Sequence, residues 1–412
     1  MSTPERNRFE DPARDAAQLL VRLAFVVLFV GVPLAAILSR RSIFVLMPIG
    51  TALILAAAAL DMPGGALSRV RELLLNPVAI CISAFLLWAG ISLLWTPFAA
   101  PASERYVKTM GTIVLATFAA GLLPTRTKTS NLYLVPIGII LGAMATTAMV
   151  VIEPEGLRGP GDVEGSVIDR SALGLSLLLW PALGAISARE RWIYGGAVAV
   201  AVSITAIAVW TPGGMLGIAL GALAAVTAMS NPQRAGRIWG GLFAALIVLA
   251  PALVEGLYQV RADRILGQSA AAHQLQIWAV QLHDEGLRLV TGHGFDTFAR
   301  SISSGYLSAQ TPRSILFEIW FELGVLGAIS LALLVVRIFQ EAGSHPSSIA
   351  AFHVGGLVCV AVIALTGEST VQLWWITLVS LAGIAFAGAA RAQYRSERPG
   401  VVIERGRPAA MA

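Results

Sequence analysis

Long apolar runs, broken by short polar or proline- and glycine-containing joints, set the rhythm of this chain. Twelve runs of about twenty residues, the length a helix needs to cross a bilayer core, lie at 19–38, 42–60, 77–95, 107–124, 132–152, 171–187, 192–210, 213–229, 237–254, 315–336, 348–365 and 371–390. The joints hold Asp61-Met-Pro-Gly-Gly65, Thr96-Pro97, Glu153-Pro154, Thr211-Pro-Gly-Gly214, Asn231-Pro232 and His345-Pro346, residues that turn a chain at a membrane surface. The pattern predicts an all-α, polytopic transmembrane bundle of about twelve spans. Residues 1–18 form an N-terminal segment, 19–254 the first nine spans, 255–313 one long loop, 314–390 the last three spans and 391–412 a basic tail. Arg40-Arg41 leaves almost no loop between the first two runs, so a re-entrant pair is an alternative there.

Composition agrees. The chain is 56% hydrophobic and 13% charged, against about 25% charged residues in soluble domains, and its mean hydropathy is +0.75. No small-residue cleavage site closes the first apolar run, so it does not read as a signal peptide. Cys81 and Cys359 lie far apart inside apolar runs, which speaks against a disulfide framework or a zinc site. The net charge of +5 reports arginines in joints rather than a nucleic-acid surface. Arg6, Arg8, Arg14, Arg69, Arg71, Arg234, Arg237, Arg337 and the tail arginines fall on one set of joints. By the positive-inside rule that set is cytoplasmic, both termini included, and the long loop lies outside. The tail is expected to lie near anionic lipid.

The runs are nearly free of charge, whereas transporters use charged residues at the bilayer midplane. The exceptions, Glu318 and Glu322, stand one turn apart at the start of the tenth run, where a desolvated carboxylate can take a proton. A buried acid paired with an arginine of a neighbouring helix is the structural alternative for Glu322. In the loop, 270–285 reads as an amphipathic helix with Leu275, Trp278, Ala279 and Leu282 on one stripe and Trp278 as an interface anchor. Gly292-His-Gly-Phe295 reads as a tight turn, with Asp296 capping a second short helix over 297–304. His273, His283 and His293 recur every ten residues. That spacing turns side chains about 80° apart on a helix, so no metal is assigned. Thr311 and Pro312 read as the N-cap and first residue of the tenth span, which puts Arg313 at a positive helix end suited to a phosphate. Asp169-Arg170 repeats the arrangement at the sixth span, and Arg158 lies in the loop before it. A diphosphate grip and a simple headgroup anchor are both open for these arginines.

Together these features resemble the O-antigen ligase and polymerase superfamily of bacterial envelope glycan assembly. Those proteins are twelve-span inner-membrane proteins with a large periplasmic loop late in the chain. Their signature His-Asn-x-x-Leu followed by Glu-x-Gly-x-x-Gly has its counterpart in Arg313-Ser314-Ile-Leu316 and Glu322-Leu-Gly324-Val-Leu-Gly327. Their Arg-x-x-x-Trp and Gly-x-Gly-x-x-x-Phe motifs resemble Gln274-Leu-Gln-Ile-Trp278 and Gly292-His-Gly294-Phe-Asp-Thr-Phe298. The resemblance implies transfer of an undecaprenyl-diphosphate-linked glycan to an acceptor glycan or lipid A-core sugar, without metal or other cofactor. It also implies that Arg313, Arg170 and Arg158 hold the diphosphate. Arg313 stands where the family has its histidine and Gln274 where it has arginine, and Thr211-Pro-Gly-Gly214 replaces a common Ser-Arg. Arginine does not act as a base near neutral pH, so His273, His293, Asp296, Glu318 and Glu322 are the candidates for the proton. A non-catalytic binder of the lipid-linked glycan and a polysaccharide transporter or flippase are the alternatives.

Overall fold

The structure is a computed structural model and describes residues 12–39, 41–61, 66–124, 129–152, 167–187, 191–261, 267, 269–284, 286, 288–367 and 373–391. These residues form helices and turns, with no strand among them. In chain order the helices are α1 (Pro12–Leu38), α2 (Ser42–Asp61), α3 (Ala66–Leu74), α4 (Pro77–Ile91), α5 (Ala99–Leu122), α6 (Leu134–Ile152), α7 (Val167–Ser187), α8 (Trp192–Val209), α9 (Pro212–Ser230) and α10 (Pro232–Gln259). Three shorter helices follow, α11 (Ala270–Asp284), α12 (Arg288–Thr291) and α13 (Phe298–Ser303). The chain ends with α14 (Ile315–Ser344), α15 (Ser347–Thr366) and α16 (Leu373–Arg391).

The Asn-Pro joints start helices for a local reason. Asn76 Oδ1 accepts from Val78 N at 2.8 Å, and Asn231 Oδ1 from Arg234 N at 3.0 Å. The following proline then occupies a position whose N–H has no helical partner. On either side of the Arg40-Arg41 joint, α1 has 27 residues and α2 has 20, each long enough by itself to span.

Among the described residues, eleven helices are long and apolar enough to cross a membrane, one fewer than the twelve runs predict. The difference is α5, whose first half carries Glu104, Arg105 and Lys108. Yet α5, at 24 residues, is about 36 Å long at 1.5 Å per residue, and it traverses the bundle. Arg105 near its start binds the turn before α13. At its far end the Arg391 guanidinium of α16 donates to Leu123 O and Gly121 O, each at 2.7 Å, filling carbonyls that a helix end leaves without partners.

The largest core joins α1, α2, α5, α6, α7, α8, α9, α15 and α16. At its centre α7 has 94% of its apolar window buried. The α9–α15 contact closes onto α7 through glycines: a Cβ at Gly221 would strike the Trp180 ring and lie 2.7 Å from Gly355 O. A second core joins α4, α10 and α14. Outward-facing Leu87, Ile193, Val226 and Leu242 are exposed, a surface that suits lipid and not water.

The segments α11–α13 cap one end of the bundle. Ala279 of α11 is fully buried, and Trp278 stands edge-on to Phe317 of α14 at 5.3 Å. Trp278 therefore anchors the cap to α14.

Candidate functional site

At the capped end, α14 is broken by design of its backbone. Gly324 adopts φ 61°, ψ −159°, so the carbonyls of Phe321, Glu322 and Leu323 lose helical partners. Each is filled from elsewhere. His293 N donates to Phe321 O at 2.9 Å and Gly294 N to Glu322 O at 2.8 Å, while Trp88 Nε1 of α4 donates to Leu323 O at 3.0 Å. Trp320 does the same for Ile247 O of α10 at 2.8 Å, the carbonyl orphaned by Pro251 four residues on.

The segment docked on this break is the expected Gly-His-Gly turn. Gly292 has φ 70° and Gly294 φ 99°. A Cβ at Gly292 would strike the Glu322 carbonyl, and one at Gly294 would lie 2.8 Å from Thr96 Cα. From the other side a Cβ at Gly324 would lie 2.5 Å from Val290 O. Backbone meets backbone here, and only glycine allows it. Phe295 is pinned by Ser92 Oγ, which accepts from Phe295 N at 3.0 Å, and by the Thr96 hydroxyl, which donates to Phe295 O at 3.3 Å.

Glu322 binds this turn with its side chain as well. Its two carboxylate oxygens accept from Asp296 N at 3.1 Å and Phe298 N at 2.9 Å. The acid that caps α13 thus comes from α14, and the N-cap residue Thr297 makes no side-chain cap bond. Asp296, expected to be the cap, turns elsewhere. At φ 62°, with its side chain 1% exposed, it accepts from Arg105 Nη1 at 2.6 Å and from Arg300 Nε at 2.8 Å. Both guanidiniums stay about one-third exposed, at 27% and 34%. Glu104 sits beside them: its hydrogen bond with Lys108 and that residue's charge hold its carboxyl below the ordinary value, and the Arg300 charge adds to the effect.

The sequence-predicted residues fall into three groups. Glu318, Glu322 and His293 come together around the α14 break. Glu318 is buried one turn before Glu322. The His293 ring stacks on Phe321 at 4.2 Å and 17°, with Nδ1 3.1 Å from Phe321 O, a contact that a protonated Nδ1 satisfies. Arg170 and Arg313 lie at the same end, Arg170 on α7 and Arg313 in the loop just before α14. Arg170, in the first turn of α7, is buried with its guanidinium 5.2 Å over the Trp374 ring at the start of α16. The backbone of Arg313 packs on Gly367, which ends α15. Arg313 is not on the first helical turn: Ser314 is the N-cap, its Oγ accepting from Phe317 N at 3.4 Å, and Thr311 is buried in the preceding loop. His273 stands apart, exposed in the first turn of α11. Arg158 lies outside the described residues.

Arg105 and Arg300 were not among the sequence candidates. Polar neighbours of Arg105, among them Glu104 and Lys108, hide the start of α5 in the sequence. The i,i+4 spacing of Asp296 and Arg300 was a signal for their pairing. Among the described residues no three histidine, cysteine, aspartate or glutamate side chains gather as a metal would require. Compared with protein-family models and with curated proteins, the chain matches none.

Proposed function

We propose that this chain is a divergent member of the O-antigen ligase and polymerase superfamily, moving glycan from an undecaprenyl-diphosphate carrier to an acceptor sugar at the periplasmic face of a bacterial inner membrane. One observation carries the reading. The two distant motifs that resemble the family, 291–298 and 322–327, interlock through Gly292, Gly324 and the Glu322 carboxylate. A matched pair of weak motifs that fold as one unit supports the resemblance more than either motif alone.

In this reading the capped end is periplasmic. Arg69, Arg71, Arg234, Arg237, Arg337 and Arg391 lie at or near the opposite end, which the positive-inside rule makes cytoplasmic. Arg313 and Arg170, with Arg158, hold the diphosphate. The acceptor hydroxyl attacks the anomeric carbon as the bond to the diphosphate oxygen breaks, and its proton passes to Glu318 or His293. Glu322 is better suited to holding the turn, because both its oxygens already accept from N–H groups. The acceptor is a lipid A-core sugar for a ligase or another repeat unit for a polymerase. The commitment of Glu322, together with arginine in place of the family's histidine, favours one alternative: a member that binds the lipid-linked glycan without turning it over.

Membranes holding the protein, supplied with lipid-linked oligosaccharide and a chelator, separate the two. An enzyme lengthens or transfers the glycan without added metal or nucleotide. A binder retains the lipid unchanged, and no retention at all removes both readings. Arg313→Lys replaces a forked donor by a point charge. At roughly 1.5–3 kcal/mol per charge-assisted hydrogen bond, it should weaken donor binding by about one to two orders of magnitude. Unchanged donor binding in Arg313→Ala would leave this residue as a headgroup anchor.

A further inference from the structure

The cap carries a second hollow, away from the break in α14. It lies between the first turns of α11 and the loop that leads to α14, and it holds about 610 Å³, within the range of small-molecule sites. Ser269, His273, Gln274, Gln276 and Gln310 line it, with Gly267 and Ala272. Among the described residues the lining includes no carboxylate, no lysine or arginine and no large apolar side chain. By contrast, the hollow beside His293 is walled by Trp278, Phe317, Trp320 and Phe321, with Arg288 at its edge.

The local fold accounts for the lining. Ser269 starts α11, its Oγ accepting from Ala272 N at 3.2 Å. The stripe of Ala272, Trp278 and Ala279 turns inward, which leaves His273, Gln274 and Gln276 on the outer surface. Opposite them lies Gln310, whose backbone N donates to Ser308 Oγ at 3.2 Å. Two separate elements therefore present primary amides to one space.

We infer that this hollow is a binding site for an uncharged glycan segment. A primary amide offers two donors and an acceptor, the set that neighbouring sugar hydroxyls need, since each hydroxyl both donates and accepts. A phosphate or uronate calls for cationic partners, and an acyl or isoprenoid chain calls for apolar walls; neither is present among the described lining residues. The imidazole of His273 adds one more donor or acceptor at the rim. The inference rests on the glycan-transfer reading for its biological sense but not for its test.

The full-length protein in nanodiscs would be titrated with maltotriose, cellotriose, chitotriose and trigalacturonic acid, and binding followed by saturation-transfer NMR. At least one neutral trisaccharide should bind, and the acidic one should not. Gln274→Ala and Gln310→Ala, on different elements, should each weaken that binding roughly two- to tenfold, the range expected for one lost hydrogen bond. Both variants should keep the wild-type melting temperature, since both side chains are exposed. The site is overturned if no neutral trisaccharide binds, if trigalacturonic acid binds instead, or if both variants bind like wild type. Glycan transfer with an unchanged KM in the double variant would also overturn the hollow while leaving the proposed function standing. Neutral-sugar binding with no transfer would do the reverse.

Discussion

Two parts of this bundle are held together by opposite means. Around Trp180, helices α7, α9 and α15 meet through missing atoms: Gly217, Gly221, Gly355 and Gly356 let backbones and one indole close up. Apart from Cys359 Sγ reaching Ser176 O, little that is polar is needed there. Around Asp296, helices α4, α5 and α14 meet the cap through charges and orphaned backbone groups, each given a partner. The first contact is a packing solution, common where helices associate in lipid. The second places buried acids, strained backbone and partly exposed arginines at one membrane face. Such groups are expensive to keep and concentrate at working sites.

Glycine substitutions test the contrast most strongly. Gly324→Ala forces a side chain into a positive-φ, extended-ψ conformation that is essentially glycine's alone, about 1–3 kcal/mol by itself, and onto Val290 O at 2.5 Å. It should undock the turn at 292–298, seen as lost amide-exchange protection there, and abolish any activity. Gly221→Ala faces only packing, and overpacking costs about 1–3 kcal/mol. It should lower the thermal midpoint while the cap keeps its protection. If both variants loosen the cap equally, the two regions are one cooperative unit and the distinction falls.

Glu322 comes next. Glu322→Gln keeps one acceptor and turns its amide towards a buried N–H, which leaves one donor unsatisfied at about 1–3 kcal/mol. The exchange protection of Phe298 should drop while the α9–α15 contact is unmoved. Asp296 follows, with a built-in control. Asp296→Asn keeps a residue that tolerates φ 62° but removes the charge shared by Arg105 and Arg300. Because those guanidiniums are partly exposed, solvent screens the loss to about 1–2 kcal/mol. Asp296→Ala adds backbone strain on top, so it should be the less stable of the two. Equal melting temperatures for the two variants would mean that the strain does not matter, and equality of both with the wild type would remove the ion pairs as well.

The sequence carried the apolar half of this comparison almost whole. Spans such as α7 and α15 were legible because period and length are local properties of a helix, and Asn76-Pro77 and Asn231-Pro232 mark their own helix starts. The charged half was read only in part. Glu318, Glu322 and the Gly292–Gly294 turn stood out as odd residues in their surroundings. Their partners did not, because pairing Arg105 with Asp296, or Glu322 with Phe298 N, depends on contacts 191 and 24 residues apart. The start of α14 was misplaced for a related reason. Thr311-Pro312 has the composition of a helix start, but Thr311 is buried in the tertiary fold and Ser314 takes the cap.

The smallest expected effect lies at the uncapped end, where titration should touch neither region strongly. His345 sits in the joint between α14 and α15, half-buried, with its ring 5.1 Å from that of His353. Burial lowers its pKa below the ordinary 6.5, and the Glu341 charge offsets part of that. The sign follows from the shift. In the unfolded chain the imidazole takes a proton near its ordinary pKa, while in the fold it stays neutral to lower pH. Between those two values the unfolded state binds more protons, so stability rises with pH across that window. The contribution is complete above 6.5 and is lost as pH falls through the folded value. A melting series from about pH 7.5 to about pH 5 should show a shallow decline, which His345→Gln flattens. An equal decline in the variant would place the acid sensitivity elsewhere.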